Sequence, residues 1–159
     1  MKEEYSAFLD AFTQFRKLHM SSIFPHMNHS EFATMVGISR LSKMCFKTGK
    51  QVKVSMLVEE LNVNSTAVSR SLKILEEKGY IERIVSKKDR RITYVKLTDA
   101  GAEELMKAEK KMDEFAEAVL SNLEEGSLAQ LTEIMNQLYN SAVQEINKRK
   151  CIQKGEEKE

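Results

Sequence analysis

The stretch Asn62–Leu97, NVNSTAVSRSLKILEEKGYIERIVSKKDRRITYVKL, decides the fold of this chain of 159 residues. Near its start, Val68, Leu72 and Leu75 recur at spacings of four and three, which places them on one face of a helix. Hydroxyl and cationic side chains occupy the opposite face: Ser65, Thr66, Ser69, Arg70 and Lys73. Such side chains reach base edges and phosphates when a helix enters a major groove, although any surface helix also has a polar outer face.

A second, shorter helix is predicted immediately before this one. Apolar residues line one side of Ser55–Leu61, and Ser55 itself is placed as an N-terminal cap. Only Asn62–Asn64 separates the two helices, and Asn tolerates the positive φ of a sharp turn. Two helices joined so closely predict a helix-turn-helix, in which the second helix reads DNA.

Two strands are predicted after the reading helix, which ends at the stop signal Lys78-Gly79. Tyr80–Ser86 and Ile92–Leu97 are rich in β-branched and aromatic residues, as strands are. The tip between them carries four cations and one acid: Lys87, Lys88, Asp89, Arg90 and Arg91. These cations repel one another unless an anion lies opposite, and DNA supplies one; a solvated turn that protects a sheet edge is the alternative.

Four motifs within Val54–Gly101 together resemble the winged-helix domain of MarR-type transcriptional regulators. They are STAVSR at 65–70, LEEKGYIER at 75–83, DRR at 89–91 and VKLTDAG at 95–101. The order of the other predicted elements fits the same family over about residues 1–150. The resemblance implies a mostly α fold with a small β-wing, in which N- and C-terminal dimerisation helices flank a winged helix-turn-helix domain.

The predicted domains follow that order. Residues 1–29 form an N-terminal dimerisation helix and loop, 30–100 the DNA-binding domain, 101–149 a long linking helix and a C-terminal dimerisation helix, and 150–159 a charged, disordered tail. The first helix is expected over Tyr5–Met20. Ser30 and Thr98 are predicted caps of the helices that follow them, and Val52–Val54 is a predicted third strand of the small sheet.

The helices at the two chain ends carry more apolar surface than a winged helix needs to cover its own core. The predicted dimer contacts are Phe8 and Phe12 in the first helix and Leu131, Ile134, Leu138 and Ile146 in the last. The resemblance implies that these helices interlock with those of a second copy, forming a homodimer. Two-fold symmetry then favours a pseudo-palindromic DNA site with half-sites about one helical turn apart. A different protein is the alternative partner.

Positive charge is concentrated on the predicted reading stretch, although the whole chain carries only +1. Residues 64–96 hold nine Lys or Arg against four Asp or Glu, whereas residues 97–126 hold three against nine. This segregation favours double-stranded DNA as the partner of the first segment. The sequence has no apolar run of membrane-spanning length and no signal-peptide core, so the predicted location is cytoplasmic, without a membrane partner.

Cofactor chemistry and catalysis find little support. Cys45 and Cys151 fit no metal knuckle, and Cys45 is predicted to be an ordinary buried thiol rather than a redox sensor. His19, His26 and His29 are close in sequence, but loop histidines are solvated far more often than they bind metal. GxSxG, HExxH and glycine-rich phosphate loops are absent, so no cofactor and no enzymatic activity are predicted.

The resemblance also implies finer roles for individual residues. In the wing, Asp89 pairs with an arginine while Arg90 or Arg91 enters the minor groove, and the two lysines contact phosphates. A small-molecule effector would bind in a cleft beside the reading unit, and its predicted lining is Phe15, His19, Met27, Met35, Ile38 and Ser39. Each of these six also fits a core or dimer contact.

The predicted function is a homodimeric, sequence-specific DNA-binding transcriptional regulator, a repressor, which is modulated by an unidentified small ligand. Two alternatives remain. One is a winged-helix module that binds another protein and has no enzymatic activity, and the other is a redox- or metal-responsive regulator of the same fold.

Overall fold

The computed structural model describes residues 2–18, 23 and 26–156, with side chains up to residue 150. The elements in this part of the chain are α1 (Lys2–Arg16), α2 (His29–Phe46), α3 (Val54–Leu61), α4 (Ser65–Glu77), β1 (Ile81–Val85), β2 (Thr93–Leu97), α5 (Asp99–Leu120) and α6 (Ser127–Glu156). The predicted fold class, mostly helical with a small antiparallel wing, is confirmed. The chain divides into two compact units, Met1–Asp113 and Glu114–Glu159.

The turn between α3 and α4 has the predicted form. Asn62 has a φ of 50°, in the left-handed region that Asn tolerates. Asn64 caps α4, because its side-chain oxygen accepts a hydrogen bond from the backbone N–H of Ala67 at 2.8 Å. At the other end, Lys78 terminates α4 and Gly79 follows with a φ of 73°. The predicted limits of this helix are therefore confirmed.

Two predicted helix caps and one predicted strand are wrong. Helix α2 begins one residue before Ser30, because Asn28 is its cap and accepts the backbone N–H of Glu31 at 2.9 Å. Ser55 lies inside α3, whose first turn has no side-chain cap. Val52–Val54 makes a single bridge, from Lys53 to Tyr94, and forms no strand because α3 already begins at Val54.

The first and last helices also differ in length from the predicted ones. Helix α1 ends at Arg16, short of Met20, and residues 19–22 lie outside the described part. Helix α6 continues to Glu156, through the start of the predicted tail. None of the described helices is long and apolar enough to cross a membrane.

The core of the first unit is built around the inner face of α4. Val68, Leu72 and Leu75 are at most 1% exposed, which confirms the predicted inward face. The other fully or nearly buried apolar residues come from α2, α3, the hairpin, α5 and the loops before α2 and α3: Met27, Met35, Ile38, Leu41, Cys45, Val52, Leu57, Ile81, Val95, Leu105 and Ala108. Cys45 is thus a buried thiol, as predicted.

Helix α5 starts against the beginning of β1. Thr98 caps it as predicted, because the Thr98 hydroxyl accepts the backbone N–H of Gly101 at 3.0 Å. The same hydroxyl donates to the Gly79 carbonyl at 2.7 Å, and the Thr98 N–H donates to the Tyr80 carbonyl at 3.0 Å. A Cβ on Gly101 would lie 1.9 Å from the Tyr80 oxygen, so this junction admits only glycine.

We expect Gly101→Ala to lower the free energy of unfolding by about 3 kcal/mol or more, because a backbone carbonyl cannot move aside as a side chain can. Gly49→Ala is the control, since Gly49 has a φ of 64° but no neighbour within 4 Å, and it should lose only about 1 kcal/mol. Urea unfolding followed by circular dichroism measures both values. Equal losses would contradict the packing argument.

Candidate nucleic-acid interface

The outer face of α4 presents all five predicted reading residues together. Ser65, Thr66, Ser69, Arg70 and Lys73 are exposed, opposite the buried residues of the same helix. The hydroxyl groups lie in the first turns, where the helix N-terminus also favours an anion. The arrangement therefore offers short polar groups and two cations on one convex surface, as insertion into a major groove requires.

Arg70 and Lys73 differ in whether an acidic side chain pairs with them. Lys73 lies 3.9 Å from Glu77, but both side chains are more than 60% exposed, so the pair is weak. Arg70 has no ion-pair partner among the described residues. A free guanidinium on this face is available for the fork-like contact that arginine makes with a guanine edge or a phosphate.

The wing tip is closed by hydrogen bonds to its own backbone. The Ser86 N–H donates to the Ile92 carbonyl at 2.9 Å, and the Ile92 N–H donates to the Asp89 carbonyl at 3.0 Å. The Ser86 hydroxyl accepts the N–H groups of Lys88 and Asp89, both at 3.3 Å. These contacts fix the tip in one turn, so its four cations project from a defined backbone.

Asp89 binds Arg91, which answers the question of which arginine it holds. Its Oδ1 accepts the Arg91 backbone N–H at 3.0 Å and the Arg91 Nε at 3.2 Å, and its Oδ2 accepts the terminal nitrogen at 3.3 Å. The side-chain hydrogen bonds from Arg91, followed by the backbone one, lower the pKa of Asp89 below its ordinary value. The carboxylate is therefore ionised at neutral pH, and it steadies a guanidinium that remains 91% exposed.

The other cations of the hairpin and of α4 divide into two groups. Arg83 pairs with Glu76 at 3.6 Å, and Lys96 pairs with Glu82 at 2.7 Å. Within the described residues, Lys87, Lys88 and Arg90 have no such partner. Unpaired charge is thus concentrated at the wing tip and at Arg70, where it can attract a polyanion.

Sequence reasoning missed one charged contact. Glu31 is only 3% exposed, and its carboxylate lies 2.6 Å from the Lys78 ammonium at the end of α4. The spacing of Asn28 and Glu31 is that of a capping box, in which the third residue after the cap carries a carboxylate. That signal could have located the start of α2, but not the partner 47 residues away.

The residues predicted to line an effector cleft are not all at the surface. Met35 and Ile38 are 0% exposed in the core, whereas Phe15 is 73% exposed and Ser39 is half-buried. His19 lies outside the described residues. The buried Met27 lines a cavity of about 220 Å³, together with Ile23, His26, Glu104, Lys107, Ala108 and Lys111. The lining as a whole stays a prediction.

The predicted dimer contacts are solvent-exposed in the single chain. Phe8 and Phe12 stack on each other with ring centroids 6.0 Å apart, and each is more than 40% exposed. Leu131, Ile134, Leu138 and Ile146 are between 47% and 60% exposed along α6.

Among the residues that the structure describes, no group of three His, Cys, Asp or Glu side chains could hold a metal ion.

Comparison with known proteins agrees with this geometry. A family model described as a winged helix DNA-binding domain matches residues 44–101. The fold matches a crystal structure of a mutant of MarR from E. coli with a TM-score of 0.63, covering 84% of this chain and 95% of that one at 19% identity. The chain therefore contains a winged helix DNA-binding domain, and its fold is that of the MarR structure.

Two further structures have the same fold. PcaV from Streptomyces coelicolor matches with a TM-score of 0.69 at 12% identity, covering 86% of this chain and 96% of that one. BldR from Sulfolobus solfataricus matches at 0.66 and 19% identity, covering 87% and 96%. Both proteins are transcriptional regulators.

In sequence, the chain is similar to the uncharacterized HTH-type transcriptional regulator YdgJ from Bacillus subtilis. The two are 33% identical over 91 residues, which are 57% of this chain and 56% of YdgJ. The match therefore spans about half the length of that relative. YdgJ is thus named as a transcriptional regulator, as BldR and PcaV are.

Asp89→Ala tests whether the tip of the wing is built for DNA. Removal of an acid raises the positive charge, so electrostatics alone predicts tighter binding. We expect binding to an A·T-rich duplex to weaken by about three- to tenfold instead, because Arg91 loses the hydrogen bonds that position it. Fluorescence anisotropy measures the affinity.

Glu82→Ala is the control for Asp89→Ala. It removes an acid from the strand, where its partner is Lys96, and should leave binding unchanged or tighter. In Arg91→Ala protein, the Asp89→Ala change should cause no further loss. If Asp89→Ala and Glu82→Ala strengthened binding equally, Asp89 would have no positioning role.

Proposed function

We propose that the protein is a homodimeric transcriptional repressor that binds a pseudo-palindromic operator and is released by a small ligand. The observation that carries this proposal is the exposed face of α4, where Arg70 and the hydroxyl groups stand free of partners among the described residues, in the same unit as a wing tip with unpaired cations. Hydroxyls and arginine can discriminate bases, whereas the wing adds affinity that depends on salt.

The division of labour between the two elements follows from their chemistry. Ser65, Thr66, Ser69 and Arg70 would read the major groove, and Lys73 would contact a phosphate. In the wing, we assign the minor groove to Arg91, because a guanidinium already steadied by Asp89 loses less freedom on insertion. Lys87, Lys88 and Arg90 would then contact the backbone.

Exposed apolar surface supports the homodimer. In the second unit, large apolar side chains recur along α6 at helical spacing and are about half-exposed, including Leu131, Ile134 and Leu138. Monomeric proteins rarely leave such a stripe in water, and a second copy of the same stripe is an apolar partner of matching length. Two reading helices related by a two-fold axis then select an inverted repeat.

Control by a ligand is supported by the chemistry of the cavity at Met27. Its walls combine apolar groups from Ile23 and Ala108 with two lysines, Lys107 and Lys111, against one acid, Glu104, so the excess of positive charge suits a small molecule that has an apolar body and a negative charge. One structure of PcaV is described as a complex with its natural ligand. Repression follows wherever the operator overlaps a promoter, because the bound dimer occupies DNA that the polymerase needs.

Selection of bound duplexes from a random-sequence pool tests the DNA-reading function. We expect an inverted repeat with half-sites about ten base pairs apart. With Arg70→Ala, the affinity for the selected operator should fall by about tenfold or more, and one position in each half-site should lose its preference.

Lys73→Ala is the control in this selection, because loss of a phosphate contact should weaken binding on all duplexes without changing the selected sequence. If folded, dimeric protein enriched no sequence, the docking of another protein would replace the regulator as the function of the winged helix.

Leu138→Glu tests the homodimer. A carboxylate in the middle of the stripe would have to be desolvated at the interface, so we expect the mass in solution to fall from twice the chain mass to about 18.3 kDa. Asn136→Glu, about 160° around the same helix from Leu138, is the control and should leave the dimer intact. Light scattering after size exclusion measures both, and a dimeric Leu138→Glu protein would exclude this face from the interface.

A further inference from the structure

The C-terminal end of α4 is held by an ion pair between a buried carboxylate and a half-buried ammonium. The Lys78 ammonium lies 2.6 Å from Glu31 Oε2, and the Glu31 side chain is only 4% exposed. Lys78 also donates to the His26 carbonyl at 2.8 Å. One side chain thus ties the end of the recognition helix to the start of α2 and to the loop before it.

The carboxylate of Glu31 is satisfied on both oxygens. Its Oε1 accepts the Asn28 side-chain N–H at 2.6 Å, while the Asn28 oxygen accepts the Glu31 backbone N–H at 2.9 Å. Asn28 and Glu31 therefore hold each other in place at the first turn of α2 through contacts that do not involve Lys78. A carboxylate positioned in this way offers Lys78 one defined place, because a charge-assisted hydrogen bond depends on direction as well as distance.

The other side-chain contacts between α2 and α4 constrain the orientation of α4 less than the ion pair does. Its centre is apolar, with Met35 and Ile38 buried among the same core residues as Leu72. Nearer the start of α4, the Ser71 hydroxyl lies 3.2 Å from that of Ser30. Apolar burial is non-directional, so it permits a helix to rotate or slide by a fraction of a turn at little loss of area. The ion pair opposes such movement at the end of α4 that lies farthest from its first turn.

We propose that the Glu31–Lys78 pair is a positioning contact for DNA reading, which sets the orientation of α4 on α2 and so the operator selectivity. The inference rests on the proposed DNA-binding function. Lys78 itself touches no base in this role; it acts through the position of Arg70 and the hydroxyl groups on the outer face. A small rotation of α4 would misplace these groups relative to the base edges, whereas contacts with phosphates tolerate a small displacement, so selectivity should suffer more than general affinity.

The test compares the affinity for the selected operator with that for a scrambled duplex, over a range of salt concentrations. In Lys78→Met, we expect the ratio of the two affinities to fall by about tenfold or more, with an unchanged salt slope. Lys78→Arg should restore the ratio to within about threefold, because a guanidinium can donate to both Glu31 and the His26 carbonyl. Lys96→Met, which removes the cation of an exposed ion pair in β2, should leave the ratio unchanged.

A double variant separates positioning from stability. Glu31→Leu with Lys78→Met replaces the ion pair by apolar side chains, which should recover the melting temperature that Lys78→Met loses. We expect the low affinity ratio to persist in this folded protein.

Four results would overturn the inference. If the affinity ratio of the double variant returned to the wild-type value together with its melting temperature, the ion pair would only stabilise the fold. A salt slope reduced by about one in Lys78→Met would make Lys78 a phosphate contact instead. An equal fall of the affinity ratio in Lys96→Met would show that the effect comes only from the loss of a positive charge. A wild-type ratio of one would overturn the proposed DNA-reading function itself, and this inference with it.

Discussion

The close approach of Gly101 to the Tyr80 carbonyl is the constraint on which the DNA-binding unit depends. The segment between α4 and β1 and the segment between β2 and α5 meet at this point. Thr98 joins them by three hydrogen bonds, to Gly79, Tyr80 and Gly101. The hairpin can therefore leave the unit in only one direction relative to α4, since its two ends are fixed to each other and to the end of that helix. A reading helix and a wing that must meet two grooves of one duplex require such a fixed junction.

Ion pairing determines which charges of this surface are available to DNA. Acids accompany the cations of the strands and of the end of α4, so Arg83, Lys96 and Lys78 already have acidic partners within the fold. At the tip, one acid serves four cations, and it acts on the nearest arginine as a support. Residues 64–96 carry a net charge of +5, but this sum does not show where the charge lies. The cations at the base of the wing have acidic partners, whereas the tip carries four cations and one acid.

Local signals in the sequence were sufficient for α4 and its flanks. The apolar spacing of Val68, Leu72 and Leu75, the Asn residues of the turn and Lys78-Gly79 all describe interactions within a few residues, and the structure confirms them. The cap of α2 was misplaced because Asn28 and Ser30 are both good caps, and the choice depends on Glu31. The partner of Glu31 could not be predicted, because nothing near either residue specifies a contact across 47 positions. The identity of the arginine held by Asp89 likewise required the geometry of the tip.

The core of the first unit and the helix α6 of the second use their apolar residues in opposite ways, and this difference bears on how specificity is achieved. In the core of the first unit, such residues are buried within the chain and hold α4 and the base of the wing in place, although Phe8 and Phe12 of α1 stay exposed. In the second, the stripe along α6 is left in water by the single chain, so its burial has to come from another molecule. A single reading helix contacts only a few base pairs, too few for a unique site in a genome. In the dimer proposed above, the α6 surface would set the distance between two reading helices, and a ligand that altered this distance would alter operator affinity without touching a base contact.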